Sequence, residues 1–236
     1  MKFFKNTAKR LSNSNWVITL LSTMIGVILG FYLTNSNESR KLETDRINAV
    51  ALLGDEIDEN HKKLKEFDSV FKINLKKLHY LESFLNEDMH IVVAKDSVSL
   101  FKETALEIIH FKDTVAYQKT PNYVKVNGDL NLSFNSNLMF INLTSSVWNA
   151  YNTADFVKKT NFLCLRDIGQ LHQFQEGYNK ELDKWRTLFF KTEYMKSKEE
   201  YSKFLEASSK LALHNKLLLN FFSFKNQALK KCKEKK

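Results

Sequence analysis

The first strong pattern along the chain is an uninterrupted apolar run. Residues 16–33 carry no charged side chain. As an α-helix this run is about 27 Å long, close to the thickness of a bilayer's hydrocarbon core. Trp16 and Tyr32 lie at its two ends, where aromatic side chains favour the membrane interface. A cleaved signal peptide is the alternative, but the run is long and no small-x-small cleavage site follows it. We therefore predict an uncleaved transmembrane helix over 16–33.

A heptad repeat begins soon after the apolar run. Apolar residues recur every seven positions, at Val50, Ile57, Leu64, Phe71, Leu78 and Leu85. A second seam position is filled by Leu53, Asn60, Phe67, Asn74 and Leu81. Such a repeat predicts a long helix of coiled-coil or bundle type, in which buried asparagines fix the register. No proline interrupts it, so we expect one nearly continuous helix from the membrane to about Asn86.

Later segments repeat the helical pattern. A second helix is predicted from Asp96, as N-cap, to about Lys112. A third helical region starts near Asn142 and breaks near 158–161, and a long helix then runs to about Met195. After a turn at 196–198, a last helix carries leucines and phenylalanines on one face. Long seams joined by short turns predict an antiparallel bundle of the all-α class.

Residues 113–141 are the least helical part of the chain. Side chains alternate on both sides of Asn127-Gly128, which is typical of a β-hairpin turning at that dipeptide. An isolated hairpin is marginally stable, so it either packs on the bundle or stays a mobile loop. The predicted organisation is a basic leader over 1–15, a transmembrane helix over 16–33 and a bundle domain over 34–236, with a hairpin or loop insertion.

The positions of basic residues predict the orientation. Four basic residues precede the apolar run and three follow it within a similar distance: Lys2, Lys5, Lys9 and Arg10, then Arg40, Lys41 and Arg46. The positive-inside rule favours a cytoplasmic N-terminus and a bundle outside the cytoplasm. In a bacterium this is a single-pass inner (plasma) membrane protein with a periplasmic domain. The lipid bilayer is thus the first predicted partner.

Composition narrows the function classes. The chain has only 6 Gly and 1 Pro, which favours long helices over a turn-rich sandwich or barrel. Its net charge of +9 is not accompanied by a nucleic-acid-binding motif, so we expect no nucleic-acid partner. The basic tail over 230–236 is a solvated end, or a contact for anionic lipid if the domain is cytoplasmic.

Two cysteines are too few for a disulfide-based scaffold. Cys164 falls on an apolar helical stripe, which predicts a buried thiol that packs as a small hydrophobic group. Cys232 lies in a charged tail, where we expect a free thiol.

Small residues recur along the apolar run. Ser22, Gly26 and Gly30 are four residues apart and share one helix face. Such a series permits close packing of a second transmembrane helix, so it predicts a homo-oligomer or a protein partner. The alternative is that glycine is simply frequent in membrane helices.

The order of features resembles a family of uncharacterised bacterial inner-membrane proteins. The stretch from Ile25 to Gly30, followed by 35–40, is similar to the end of that family's anchor, and 52–60 is similar to the start of its long helix. Residues 146–150 and Tyr178 also resemble it, although Ser36 stands where the family has an aromatic residue. The resemblance implies a membrane anchor and a helical domain, and it implies no activity.

Catalytic motifs are scarce in the sequence. It has no phosphate-binding glycine loop, no nucleophile elbow and no cysteine–histidine pattern with zinc spacing. Two Glu-x-x-His motifs, Glu87–His90 and Glu107–His110, are the spacing used by di-iron bundles, which need further carboxylates such as Glu56, Glu176 or Glu206. Glu87 and His90 fall in the predicted helix break, and the two motifs lie on adjacent short elements instead of long facing helices, so we favour solvated or capping residues. The acidic run 55–59 is interpreted as a solvated helix face.

We therefore expect a membrane-anchored helical scaffold, accessory or sensor-like binding protein, with no catalytic residue, metal or cofactor predicted. The residues over 113–141 are the expected recognition surface, because binding often uses loops on rigid scaffolds. An enzyme or metal-binding bundle with an unfamiliar site is the alternative.

Overall fold

The computed structural model describes residues 15–106, 109–130, 141–191 and 197–234. The basic leader, Glu107, loop residues 131–140 and Lys196 lie outside the described residues. The described chain is mostly α-helical and contains a small antiparallel sheet. The predicted all-α class is therefore confirmed in its main feature.

One long helix, α1 (Asn15–Glu82), forms the axis of the molecule. It has 68 residues, which corresponds to about 100 Å at the α-helical rise. This confirms the predicted continuity between the apolar run and the heptad repeat. Its large apolar residues from Ile18 to Leu33 are all more than half exposed, whereas Val50, Leu53 and Ile57 are at most 1% exposed. By length and composition, α1 is able to cross a membrane.

The bundle is built from four antiparallel passes of the chain. After α1, the second pass covers 141–160 and contains α3 (Ser146–Thr153) and a 3₁₀ turn (Asp155–Lys159). The third pass is α4 (Phe162–Phe189), and the fourth is α5 (Lys198–Ser223) followed by α6 (Lys225–Lys233). Between the first and second passes, the chain forms a short helix, α2 (Val98–Ala105). The antiparallel arrangement agrees with the sequence pattern.

Both predicted seams of α1 are buried. The apolar seam residues lie in the core, and Asn60 and Asn74 are fully buried beside them. Trp185 of α4 is central to this core, with its ring 5.2 Å from that of Phe71 and its Nε1 donating to Ser208 Oγ at 2.8 Å. α5 runs antiparallel to α1, since near its start the Tyr201 hydroxyl donates to the Leu78 carbonyl at 2.9 Å, and directly after its end Lys225 pairs with Asp58, twenty residues earlier on α1.

A small sheet caps the far end of α1. Its strands are β1 (Ile91–Ala94), β2 (Ile109–Ala116) and β3 (Tyr123–Leu130), in the antiparallel order β1-β3-β2. The sheet and α2 share a second core with the end of α1, made of Leu81, Val93, Phe101, Ala105, Ile109 and Val126. The predicted helix from Asp96 to Lys112 is present but shorter, because it covers Val98–Ala105, and its predicted end at Lys112 is wrong since β2 begins at Ile109.

A hairpin is present, but its turn differs from the predicted one. β3 passes straight through Asn127-Gly128, and the connection from β2 lies at 117–122. Gly128 is needed for close approach instead, because an added Cβ would meet the Ile109 side chain and lie 2.7 Å from the His110 carbonyl oxygen. This contact adjoins an irregularity in the pairing between Phe111 and Asp113.

The cysteines are joined in a disulfide, so the predictions of a free Cys232 and a Cys164 thiol are wrong. Both residues are fully buried, and their Cα atoms lie 4.7 Å apart. The last helix divides at Phe224, which lets α6 return to the beginning of α4. Sequence periodicity does not reveal this bend, so Cys232 looked like part of a solvated tail.

Candidate binding site

The predicted transmembrane packing face is exposed in the single chain. Ser22, Gly26 and Gly30 are all exposed, and a Cβ added at either glycine would have no heavy atom within 4 Å. The Ser22 hydroxyl donates to the Thr19 carbonyl at 2.9 Å. The bundle therefore leaves this face accessible to another helix.

The described residues of the two Glu-x-x-His motifs lie in different parts of the fold. Glu87 and His90 lie in the turn before β1, and His110 is exposed on β2. Among the residues that the structure describes, no group of three or more His, Cys, Asp or Glu side chains is arranged to hold a metal ion. Glu56, a proposed extra carboxylate, is only 6% exposed and has another role, so the solvated interpretation of the acidic run is wrong at this position.

Behind the bundle surface, side-chain amides hold the second pass where it is extended. Residues 141–144 lie outside the helices, so their backbone groups need other partners. Asn60 accepts from the Thr144 N–H at 3.1 Å and donates to its carbonyl at 2.8 Å. Gln175 donates to the same carbonyl, and Asn179 donates to the Leu143 carbonyl at 2.8 Å. The Asn60 amide thus fixes an extended segment between α1 and α4.

Glu56 caps the helix that follows. Its carboxylate accepts from the Val147 N–H at 2.9 Å, the Trp148 N–H at 3.3 Å and the Ser146 hydroxyl at 3.0 Å. The two N–H groups belong to the first turn of α3, where backbone N–H groups have no partner within their own helix. A negative charge there is also stabilised by the helix dipole. Glu56 is therefore a structural residue that the sequence pattern did not identify.

His172 packs beside this cap. Its ring stacks on Trp148 with centroids 5.2 Å apart, and its Nδ1 lies 3.2 Å from Ser145 Oγ. Burial lowers the pKa of His172 from 6.5 to about 4, although the nearby Glu56 carboxylate opposes the shift. The imidazole is therefore neutral at pH 7. It acts as an aromatic packing element that also makes one polar contact.

A groove on the outer surface between α4 and α5 is the best-formed candidate for binding. It has a volume of about 470 Å³ and is lined by Gln173, Phe174, Gly177, Tyr178, Glu181, His214, Leu217 and Leu218. The volume falls in the range of small-molecule and peptide-anchor pockets. Phe174 is 48% exposed and Leu217 is 42% exposed, so the groove presents apolar side chains to solvent. Gly177 leaves open space in the groove, because no heavy atom lies within 4 Å of the position that a Cβ would occupy there.

The groove combines apolar walls with polar edges. Lys184 and Lys210 bind the Glu181 carboxylate at 2.9 and 3.0 Å, and these bonds lower the pKa of Glu181. Burial raises the pKa of Tyr178, so its hydroxyl stays protonated. Within the described residues, that hydroxyl and the buried His214 Nδ1 have no hydrogen-bond partner. An aromatic or aliphatic group fits the walls, and the charged edge supplies polar contacts.

Sequence reasoning placed the recognition surface elsewhere, at 113–141. In the described part of that range, 113–116 and 123–130 belong to the sheet, and its recognition role stays a prediction. The groove was missed because its residues come from two distant helices. No protein-family model, curated protein or solved structure matches this chain. Its function must therefore be argued from its own residues.

Proposed function

We propose that this chain is a single-pass membrane protein whose helical domain lies outside the cytoplasm and works by binding a partner, as a scaffold, an accessory subunit or a sensor-like input domain. One observation carries the proposal. Within α1, apolar side chains that are more than half exposed give way, without a break in the helix, to side chains buried in the bundle. Water does not stabilise such an exposed apolar length, whereas a bilayer does.

The disulfide supports the proposed orientation. Disulfides persist in oxidising compartments and are rare in the reducing cytosol. A bridge between Cys164 and Cys232 therefore favours a domain outside the cytoplasm. The excess of basic residues before the apolar run points the same way and is independent of the cysteines.

The groove between α4 and α5 supports a binding role. Exposed apolar side chains that line a groove are characteristic of sites that bind partners or ligands. A continuous α1 is also suited to transmit a shift, although transmission requires a second state of the domain.

Site-specific photocrosslinking in intact cells tests the binding proposal. A photoreactive phenylalanine analogue at Phe174 is expected to yield a discrete adduct with a cellular partner. The control is the same analogue at Leu100, which is apolar and 67% exposed on α2, away from the groove. Adducts that are absent at Phe174, or identical at both positions, would contradict binding through the groove.

A homo-oligomer formed through Ser22, Gly26 and Gly30 is part of the same proposal. The double replacement Gly26→Ile, Gly30→Ile adds bulk to a face that is open in the single chain. We expect it to reduce the mass of the detergent-extracted particle. An unchanged mass would contradict oligomerisation through this face.

A further inference from the structure

We infer that residues 155–163, here called the rim, form a surface that binds the lipid headgroup layer of the membrane in which α1 is anchored. This inference rests on the proposed single-pass anchor. It concerns a different part of the chain from the groove.

The rim is held beside the part of α1 that follows the apolar run. Lys159 Nζ donates to Ser39 Oγ at 3.3 Å. Ser39 lies six residues after Leu33, which is about 9 Å along the helix axis. The headgroup layer extends about 5–7 Å beyond the hydrocarbon core on each side. The 3₁₀ turn Asp155–Lys159 packs against α1, so its lysine side chains are close enough to reach that layer.

The fold keeps the rim in this position. Arg46 of α1 donates to the Cys232 carbonyl, and Cys232 is bonded to Cys164, directly after the rim. Arg46 donates two hydrogen bonds to the Glu43 carboxylate, which orient the guanidinium and raise the pKa of Arg46, so it stays charged. Tyr151, before the rim, is also fixed by its hydroxyl contact with Thr160 at 2.9 Å. The rim is thus held against α3 through Thr160 and is tied to α1 through Arg46 and the disulfide.

The side chains of the rim match a membrane interface. Phe162 is 69% exposed and Leu163 is 40% exposed, although both begin a helix whose next residue is buried. Lys158 is 82% exposed, and its pair with Asp155 spans 3.5 Å between two exposed side chains. Such a pair contributes little, so a lipid phosphate competes with it easily. Exposed aromatic and basic side chains together are typical of interfacial anchoring.

The basic C-terminal helix is less well placed for the same contact. α6 ends at Lys233, whose carbonyl accepts from Arg46 at 3.4 Å. Arg46 lies thirteen residues after Leu33, or about 20 Å along α1. The described lysines of α6 are therefore farther from the bilayer than the rim. Compared with the described lysines of α6, Lys158, Lys159 and Phe162 are therefore the better candidates for lipid contact.

Fluorescence quenching with the full chain in phosphatidylcholine nanodiscs tests the inference. Because both native cysteines are in the disulfide, single cysteines introduced by Leu29→Cys, Leu163→Cys and Phe190→Cys can each carry an environment-sensitive dye. Leu163 lies in the rim and keeps Phe162 and both lysines intact. Phe190 is 56% exposed at the opposite end of α4, about 40 Å away, and is the matched control.

Lipids that carry a spin label on the headgroup are expected to quench the dye at Leu163→Cys and to leave the dye at Phe190→Cys unchanged. Adding Phe162→Ser with Lys158→Glu and Lys159→Glu is expected to abolish that quenching. Equal quenching of the dyes at Leu163→Cys and Phe190→Cys would overturn the inference. Quenching at Leu163→Cys that survives the triple replacement would also overturn it.

The position in α1 separates this inference from the anchor itself. A spin label deep in the acyl chains is expected to quench the dye at Leu29→Cys. If Leu29→Cys is quenched and Leu163→Cys is not, the anchor holds and the rim inference fails. If Leu29→Cys is not quenched, the anchor and the rim inference fail together.

Discussion

The disulfide should contribute a large part of the domain's stability. We consider the double replacement Cys164→Ala, Cys232→Ala, which removes the bridge without leaving an unpaired thiol. The bridge joins residues 68 apart in sequence, and closing a loop of that length lowers the entropy of the unfolded chain by an amount worth about 4 kcal/mol. The loop contains α4 from Cys164 onward and all of α5, so the constraint acts on about half of the bundle.

Guanidinium unfolding of the full chain in detergent micelles measures this loss. For a domain of this size, free energy falls by about 4 kcal/mol per molar of guanidinium, so the midpoint should decrease by about 1 M. Near-ultraviolet circular dichroism reports the core, because Trp185 is buried among aromatic rings. The native sequence treated with a thiol reductant is the matched control, since it keeps both sulfur atoms. Equal midpoints for oxidised protein, reduced protein and variant would refute the reasoning.

Three further predictions concern single residues. The pKa of His172 is about 4 in the folded chain and near 6.5 in the unfolded chain, so the unfolded protein binds more protons between these pH values. The free energy of unfolding should therefore fall by about 2 kcal/mol from pH 7 to pH 5. In urea titrations, His172→Phe should lose this pH dependence. Glu56→Ala should cost about 1–3 kcal/mol in the same titration, since two partly buried N–H groups of α3 lose their acceptor, whereas Asp55→Ala, at an exposed neighbour, should change little; equal losses would contradict the capping role. Gly128→Ala should cost about 1–3 kcal/mol, because its Cβ would crowd the His110 carbonyl, and amide exchange should increase in β2 and β3; unaltered exchange would contradict this.

The long helix and its seams were predictable because they depend on local periodicity. Val50, Ile57 and Leu64 recur at heptad spacing, and the fold buries all three. A single amphipathic helix needs no knowledge of its partner for its buried face to be identified. The apolar run was predictable for a similar reason, because local composition alone identifies it, and its large side chains are exposed in the structure.

The sheet and the disulfide were not predictable in the same way. The sequence predicts a helix that continues into the first residues of β2, because the spacing of apolar residues does not clearly change before Lys112. β3 contains Asn127-Gly128, a strong turn signal, but packing against Ile109 uses the glycine for close approach instead. The pairing of Cys164 with Cys232 depends on the bend at Phe224, which is a tertiary feature.

The candidate groove also depends on tertiary structure. Phe174 and Leu217 lie on helices whose relative orientation is fixed by the bundle, so their proximity has no local sequence signal. The sequence predicts Glu56 to be one of several solvated acids, because its position on α1 does not reveal that the first-turn N–H groups of α3 face it. Both features come from segments far apart in the chain.

Topology is the measurement that tests the central proposal most directly. A reporter enzyme that is active only outside the cytoplasm, fused to the C-terminus of the full chain, records the side of the membrane on which the domain lies. We predict an active reporter and a domain that external protease digests in spheroplasts. An inactive reporter with a protected domain would contradict the proposed orientation and leave the Cys164–Cys232 bridge in a reducing compartment.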